Sequence, residues 1–138
     1  MKKVLSIEQM KHLQELGLDT SDASMYWARV SHGSRVDDKS KGKWFLSLHK
    51  EFQTCGFMSY ESIPTYTLQD ILGKLPCFIG NQVLTIQKLA DSYTCLYIEP
   101  YTRSMINITE SKEPIDAAYD MLCWCIENGY VKIGKEEQ

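Results

Sequence analysis

The amino-acid sequence predicts an α+β domain in which an antiparallel sheet of about four to five strands carries three helices, packed mainly on one face. Apolar residues recur at helical spacing in three segments that have recognisable end signals. The segments between them alternate apolar and polar residues about short polar turns, which is typical of antiparallel hairpins. No repeat or low-complexity stretch divides the 138 residues, so we expect a single domain over 1–138.

The first helix is predicted between Ser6 and Gly17. Ser6 and Gln9 have the spacing of a capping box, in which each side chain accepts a hydrogen bond from the backbone of the other residue. Apolar residues then follow at steps of three. Gly17 can adopt the left-handed conformation that commonly ends a helix. We therefore expect an amphipathic helix with one buried stripe.

Two strands are predicted after this helix, at residues 23–30 and 43–49. The first is rich in aromatic and β-branched residues, and both alternate between two faces. Because they are neighbours along the chain, we expect them to pair antiparallel. The polar residues 32–42 between them contain two glycines and lack periodicity, so we predict a flexible loop. Residues 51–63 give no definite prediction.

A short second helix and an antiparallel meander are predicted next. Thr67 and Asp70 have capping-box spacing, and Pro76 ends the helix. Residues 82–88 and 93–99 alternate on either side of a short polar turn, and residues 104–109 favour a third strand. The helix has one narrow apolar stripe, so we expect it to lie on this sheet.

The third helix is predicted over residues 114–128, and it is the segment around which the domain is expected to be built. Pro114 suits a first helical position, and Asn128-Gly129 favours a left-handed end. One apolar arc of this helix is expected to face the core, and it contains Ile115, Ala118, Tyr119, Leu122, Cys125 and Ile126. Residues 134–138 are expected to form a frayed tail.

A second apolar face extends around the same helix. It consists of Ala117, Met121 and Trp124. A helix that is apolar on two sides needs cover on both, either from residues 52–66 or from another protein. The second face is therefore a candidate interaction surface, with a homodimer or an unknown protein as the partner.

Composition and charge narrow the functional classes. A net charge of -3 and a pI near 5.6 argue against general nucleic-acid binding, which usually needs a basic face. No run approaches the ~18 apolar residues that a membrane span requires. The first residues also lack the apolar core of a signal peptide. We therefore expect a cytoplasmic protein that is not held in a membrane.

The cysteines show no pattern of a disulfide framework or a metal site. There are five: Cys55, Cys77, Cys95, Cys123 and Cys125. Cys123 and Cys125 lie about 160° apart around the predicted helix, so they cannot both bind one metal ion. We expect reduced thiols that pack as small apolar groups, with no metal and no cofactor.

No recognised catalytic motif is present, neither a phosphate-binding loop nor a nucleophile elbow. This weighs against an enzyme, but catalytic residues can converge from distant positions. One alternative is therefore a small enzyme with a pocket near residues 49–66. The best pair there is Cys55 with His49, six residues apart, and packing is the simpler role for Cys55.

The segment 29–43 has five Lys or Arg residues and two Asp, a local net charge of +3. A solvated loop is the simplest interpretation. Alternatively, Arg35, Lys39 and Lys41 could contact an anion or an acidic partner. A nucleic-acid-binding regulator that acts weakly through this segment is a further alternative.

Two parts of the chain resemble a known group of proteins: LSIEQMKHLQELGLDTSDASMYW, and TYTLQDILGKLP together with PIDAAYDMLCWCIENGY. They are similar to small uncharacterised proteins carried on prophages and mobile elements of gut Bacteroidetes. The resemblance covers most of the chain except the region around residues 30–60. It implies an accessory gene and assigns no activity. The chain also has three Trp and eight Tyr, and these residue types are typical interface anchors. The resemblance and the aromatic content together favour a protein-interaction or accessory module.

Overall fold

Helices and strands alternate along the chain in the computed structural model, which describes residues 1–32, 42–48 and 59–133. Within these ranges the elements are α1 (Ile7–Glu15), β1 (Met25–His32), β2 (Phe45–Ser47), β3 (Ser59–Thr65), α2 (Leu68–Lys74), β4 (Phe78–Ile79), β5 (Gln82–Lys88), β6 (Tyr93–Ile98), β7 (Met105–Ser111) and α3 (Pro114–Glu127). The fold class is α+β with three helices, as predicted. The strands form two antiparallel sheets, where the sequence predicted one.

The first sheet has the strand order β2-β1-β3. The predicted antiparallel pairing of β1 with β2 is confirmed, and it places Trp27 opposite Leu46. Strand β3 begins in the segment 51–63, which gave no definite prediction, and pairs along most of β1. The loop predicted over residues 32–42 and the tail over 134–138 fall almost wholly outside the described residues.

The second sheet has the strand order β4-β5-β6-β7 and is the predicted meander with one added strand. Strand β4 has two residues and was not predicted. It joins β5 through a tight turn at Gly80, whose φ of 62° favours glycine. Strands β5, β6 and β7 pair antiparallel in sequence order, as expected for adjacent strands.

The helix ends follow the sequence signals. Both capping boxes are present, Ser6 with Gln9 and Thr67 with Asp70. At the end of α1, the N–H of Leu18 donates to the carbonyl of Leu13 at 3.1 Å, which completes a Schellman motif around Gly17. Helix α3 ends in the same way, with the N–H of Tyr130 donating to the carbonyl of Cys125 at 2.8 Å.

Helix α3 is buried on two sides by its own chain. It packs against β6 and β7 on one side and against α2 on the other. The expectation that α2 lies on the meander sheet is therefore wrong, because the apolar stripe of α2 mainly meets α3. The core around α3 draws residues from α1, α2 and β6, including Leu13, Ile71 and Tyr97, all with no exposed surface. None of the described residues of β1, β2 and β3 belongs to this core, and the first sheet meets it through the contact of β3 with α1.

Replacement of Leu122 by alanine tests the central position of α3. Leu122 has no exposed surface, so Leu122→Ala should lower the free energy of unfolding by ~2–5 kcal/mol through lost burial and the cavity left behind. Urea denaturation measures this change. Glu127→Ala, on the exposed side of the same helix, is the control and should stay within ~0.5 kcal/mol of the wild type. Equal effects of the two substitutions would contradict the packing.

A matched pair of glycine substitutions tests the backbone of the helix ends. Gly17 has φ 99°, and a Cβ added there would lie 3.0 Å from Cδ1 of Ile133, so Gly17→Ala should destabilise by more than ~1 kcal/mol. Gly73 lies inside α2 with no atom within 4 Å of an added Cβ. Gly73→Ala should therefore stabilise by ~0.5–1 kcal/mol. Thermal and urea unfolding should give opposite signs, and a stabilising Gly17→Ala would refute the left-handed end of α1.

Candidate functional site

Two of the three residues of the surface predicted on α3 are buried within the chain. Ala117 and Met121 have no exposed surface, because they face β7. The hydroxyl of Thr109 donates to the carbonyl of Ala117 at 2.7 Å, and the side-chain amide of Asn107 lies 3.6 Å from the sulfur of Met121. The second apolar face is therefore covered by the meander. The prediction of an exposed surface is wrong for these two residues. About half of the segment 52–66, which was expected to provide cover, lies outside the described residues, so that expectation stays a prediction.

Trp124, the third member of that predicted surface, is half-buried. Its ring stacks on Tyr130, with centroids 5.4 Å apart and an interplanar angle of 26°. Tyr130 directly follows Gly129 at the end of the helix, and a residue there commonly packs back on the last helical turn. Trp124 thus stabilises the end of α3 and does not form a continuous patch with Ala117 and Met121.

A polar groove of about 510 Å³ lies between the start of β1 and α2. Its polar groups are bound to one another. Lys74 forms an ion pair with Asp22, and the hydroxyl of Ser24 donates to Asp70 at 2.6 Å. Asp70 also accepts the capping hydrogen bond from the N–H of Thr67 at 3.0 Å. These contacts fix the start of α2, and the described lining of the groove contains no histidine or cysteine to act as a base or nucleophile.

A second groove, of about 530 Å³, is mainly apolar and opens between the first residues of the chain and the starts of α2 and α3. Its lining includes Met25, Leu48, Leu68 and Ile115. Lys2, at its rim, donates to Asp116 at 2.8 Å and to Gln9 at 2.9 Å. The groove could therefore accommodate an apolar group, but its described lining contains no free catalytic group. Most of the pocket predicted near residues 49–66, including Cys55 and His49, lies outside the described residues.

Buried tyrosines and cysteines could in principle act as acids or nucleophiles, but their surroundings oppose ionisation. Burial, reinforced by the nearby carboxylate of Asp22, raises the pKa of Tyr66 far above its ordinary range. Burial also raises the pKa of Cys95 to about 12 and that of Cys125 to about 11. These groups stay neutral at physiological pH and serve packing. Among the described residues, no cluster of His, Cys, Asp and Glu is arranged to hold a metal ion.

The basic segment is described only at its ends. Arg29 forms an ion pair with Glu61 on β3, and its guanidinium lies 4.5 Å from the ring centroid of Trp44. Arg29 is therefore engaged within the first sheet. Arg35, Lys39 and Lys41 lie outside the described residues, so an anion or acidic-partner site there stays a prediction.

The face of the meander sheet that points away from α3 has the most distinctive surface in the described part of the chain. The strand register places its side chains in three cross-strand rows. The first row contains Phe78, Val83, Ile98 and Met105, the second Thr85, Leu96 and Ile108, and the third Gln87, Thr94 and Glu110. A bulge adds Ile106 beside the first two rows. We call the first two rows with Ile106 the outer face.

The outer face is apolar and open. Phe78 is 64% exposed, Met105 50%, Ile108 48% and Ile106 39%. Leu96, at its centre, is buried. The opposite side of the same strands packs on α3 through residues such as Cys95 and Tyr97. No described helix makes an extensive contact with the outer face, so it stays as an exposed apolar patch between polar ends.

The sequence contains a signal for this face in strands β6 and β7. An antiparallel strand with one solvated side normally alternates apolar and polar residues. Strand β6 instead reads YTCLYI, with apolar residues on both sides of the chain, and β7 contributes Ile106 and Ile108 opposite its helix-facing residues. Two apolar faces on one sheet require two covers, and α3 supplies only one.

Comparisons with protein-family models, curated proteins and solved structures find no significant match to this chain. Among the described residues, no helix has the length and apolar character needed to cross a membrane.

Thiol reactivity tests the positions of the described cysteines. In a Cys55→Ser background, a brief treatment with an alkylating reagent should modify exposed Cys77 and leave buried Cys95 and Cys125 unmodified. Mass spectrometry locates the adducts, and Cys77→Ser should abolish the rapid reaction.

Because folding raises the pKa of Cys95 from 9.0 to about 12, the contribution of Cys95 to the free energy of unfolding should fall as pH rises through that interval. Rapid modification of Cys95 in the folded protein would contradict its burial.

Proposed function

We propose that this protein is a protein-interaction module that binds its partner through the outer face of the meander sheet. The observation that carries the proposal is an open patch of large apolar side chains on a sheet whose other face is already buried by α3. Apolar patches of this kind on small domains mark interaction sites more often than scattered exposed residues do. A cytoplasmic accessory protein of a prophage or mobile element, the context that the sequence resemblance implies, is part of this proposal.

The composition of the outer face supports a protein partner. Aliphatic residues dominate it, with one aromatic residue, Phe78, and one methionine, Met105, and charged residues lie only at its ends. The cores of protein interfaces have this depletion of charge, and Phe and Met are among the residues enriched there. Tyr101, in the turn between β6 and β7, is 93% exposed and adds an aromatic group beside the first row. Such residues are typical binding anchors.

The other functional classes have less support in the described residues. The polar groove uses its charged groups for helix capping and ion pairing, and the apolar groove has no free catalytic group in its described lining. The most basic segment lies largely outside the described residues, and its described member Arg29 is already paired. The enzyme and nucleic-acid alternatives are therefore not favoured by a specific observation.

Site-specific photo-crosslinking tests the proposed function. A benzophenone amino acid placed at Phe78 should form a discrete covalent adduct with a protein in the producing cells, because Phe78 is an exposed part of the outer face. The same group at Lys11, exposed on α1, is the matched control and should give none. Mass spectrometry identifies the captured protein.

A second substitution makes the result specific to the surface. Ile108→Arg places a charge in the next row of the outer face and should abolish the adduct formed from Phe78, while circular dichroism confirms that the variant folds. Equal adducts from Phe78 and Lys11, or no adduct from either, would refute a role of this face in protein binding.

A further inference from the structure

We propose that the partner of the outer face is a second copy of this chain, bound face to face about a two-fold axis. This inference rests on the proposed function and adds the identity of the partner. Two independent observations carry it, the apolar area of the face and the arrangement of charges at its two ends.

The exposed apolar area is sufficient for a specific dimer. The four exposed side chains of the outer face are Phe78, Met105, Ile106 and Ile108. With ~200 Å² for a large side chain, their exposed fractions amount to ~400 Å² for one copy, and the half-buried Val83, Thr85 and Ile98 bring the total to ~500 Å². Two copies would therefore bury ~1,000 Å² of mostly apolar surface, which is the lower limit for a specific interface. Two sheets that pack through their apolar faces form a sandwich with a layer spacing of ~10 Å.

The spacing of the rows sets the position of the two-fold axis. Successive rows are two residues apart along the strands, which corresponds to ~7 Å. A two-fold axis that lies midway between the two sheets, parallel to their planes and perpendicular to the strands, can pass over the gap between the first and second rows. It then places the first row of one copy over the second row of the other. Apolar side chains then meet apolar side chains, and the polar third row lies outside this contact.

The same axis brings opposite charges together. Glu110 lies in the third row, ~10 Å from the axis on one side. Arg103 lies in the turn beyond the first row, at about the same distance on the other side. The two-fold operation therefore places Arg103 of one copy near Glu110 of the other, twice in the dimer. Glu110 also accepts a hydrogen bond from the hydroxyl of Ser92 at 2.5 Å, and exposed Lys112 lies two residues beyond it. The proposed complementarity therefore consists of this one pair of charges, repeated twice by the two-fold axis.

Sedimentation equilibrium of the purified full chain tests the dimer. We expect the wild type to change from monomer to dimer as its concentration increases through the micromolar range. Ile108→Arg should remain monomeric at every concentration while circular dichroism shows a folded protein. Leu89→Arg is the matched control, because Leu89 is 43% exposed and lies beyond the third row, and it should dimerise as the wild type does.

Charge reversal tests the orientation of the two copies. Arg103→Glu and Glu110→Arg should each increase the dimer dissociation constant several-fold at low salt, because each leaves two like-charged contacts in the dimer. The double variant, which exchanges the two charges, should restore the wild-type constant. Additive weakening in the double variant would overturn the proposed axis.

The outcomes separate this inference from the proposed function. A wild type that stays monomeric, with a different protein captured from Phe78 in cells, overturns the second copy and leaves the interaction face intact. A monomeric wild type that gives no adduct overturns both. A captured adduct of twice the chain mass, lost in Ile108→Arg and retained in Leu89→Arg, supports the dimer.

Discussion

The burial of α3 on two sides is the constraint on which the rest of the structure depends. The helix has apolar residues around most of its circumference, and a monomer can hide them only by placing elements on both sides. The meander covers Ala117 and Met121, and α2 covers part of the opposite side. The acidic residues of the helix lie at the surface or form hydrogen bonds. Asp116, for example, accepts hydrogen bonds from Lys2 at 2.8 Å and from Gln9 at 3.0 Å.

The first residues of the chain connect this core to the smaller sheet. Leu5 has no exposed surface, and its carbonyl accepts from the indole N–H of Trp27 at 2.9 Å and from the hydroxyl of Thr65 at 2.7 Å. Its N–H donates to the carbonyl of Tyr66 at 3.0 Å. Both backbone groups of a buried residue are thereby paired, as burial demands. This residue holds α1 and the strands β1 and β3 together.

The meander sheet covers α3 with only one of its two faces. Because β6 and β7 use one face to cover the helix, their other face is left for solvent or for another protein. Apolar side chains such as Ile108 have no counterpart among the described elements on that side. The predicted interaction surface and the one that the structure presents therefore lie on opposite sides of the same sheet.

Local features of this fold could be read from the sequence, because they depend on residues only a few positions apart. Ser6 and Gln9, or Thr67 and Asp70, meet within one helical turn, so their spacing alone predicted the caps. The alternation around Trp27 and Ile86 predicted strands for the same reason.

The partners of each face were decided by tertiary structure. An apolar residue such as Met121 can be covered equally well by a sheet of its own chain or by another protein. Its residue type therefore did not predict that Asn107 and β7 would cover it. The division into two sheets likewise depends on the pairing of β3 with the edge of β1 that β2 does not occupy. This pairing is a contact between segments that are distant in the sequence. The candidate site could not be located from the sequence for the same reason, since Ile108 and Met121 are both apolar. Only the packing of α3 on β7 determined that Met121 is buried and Ile108 exposed.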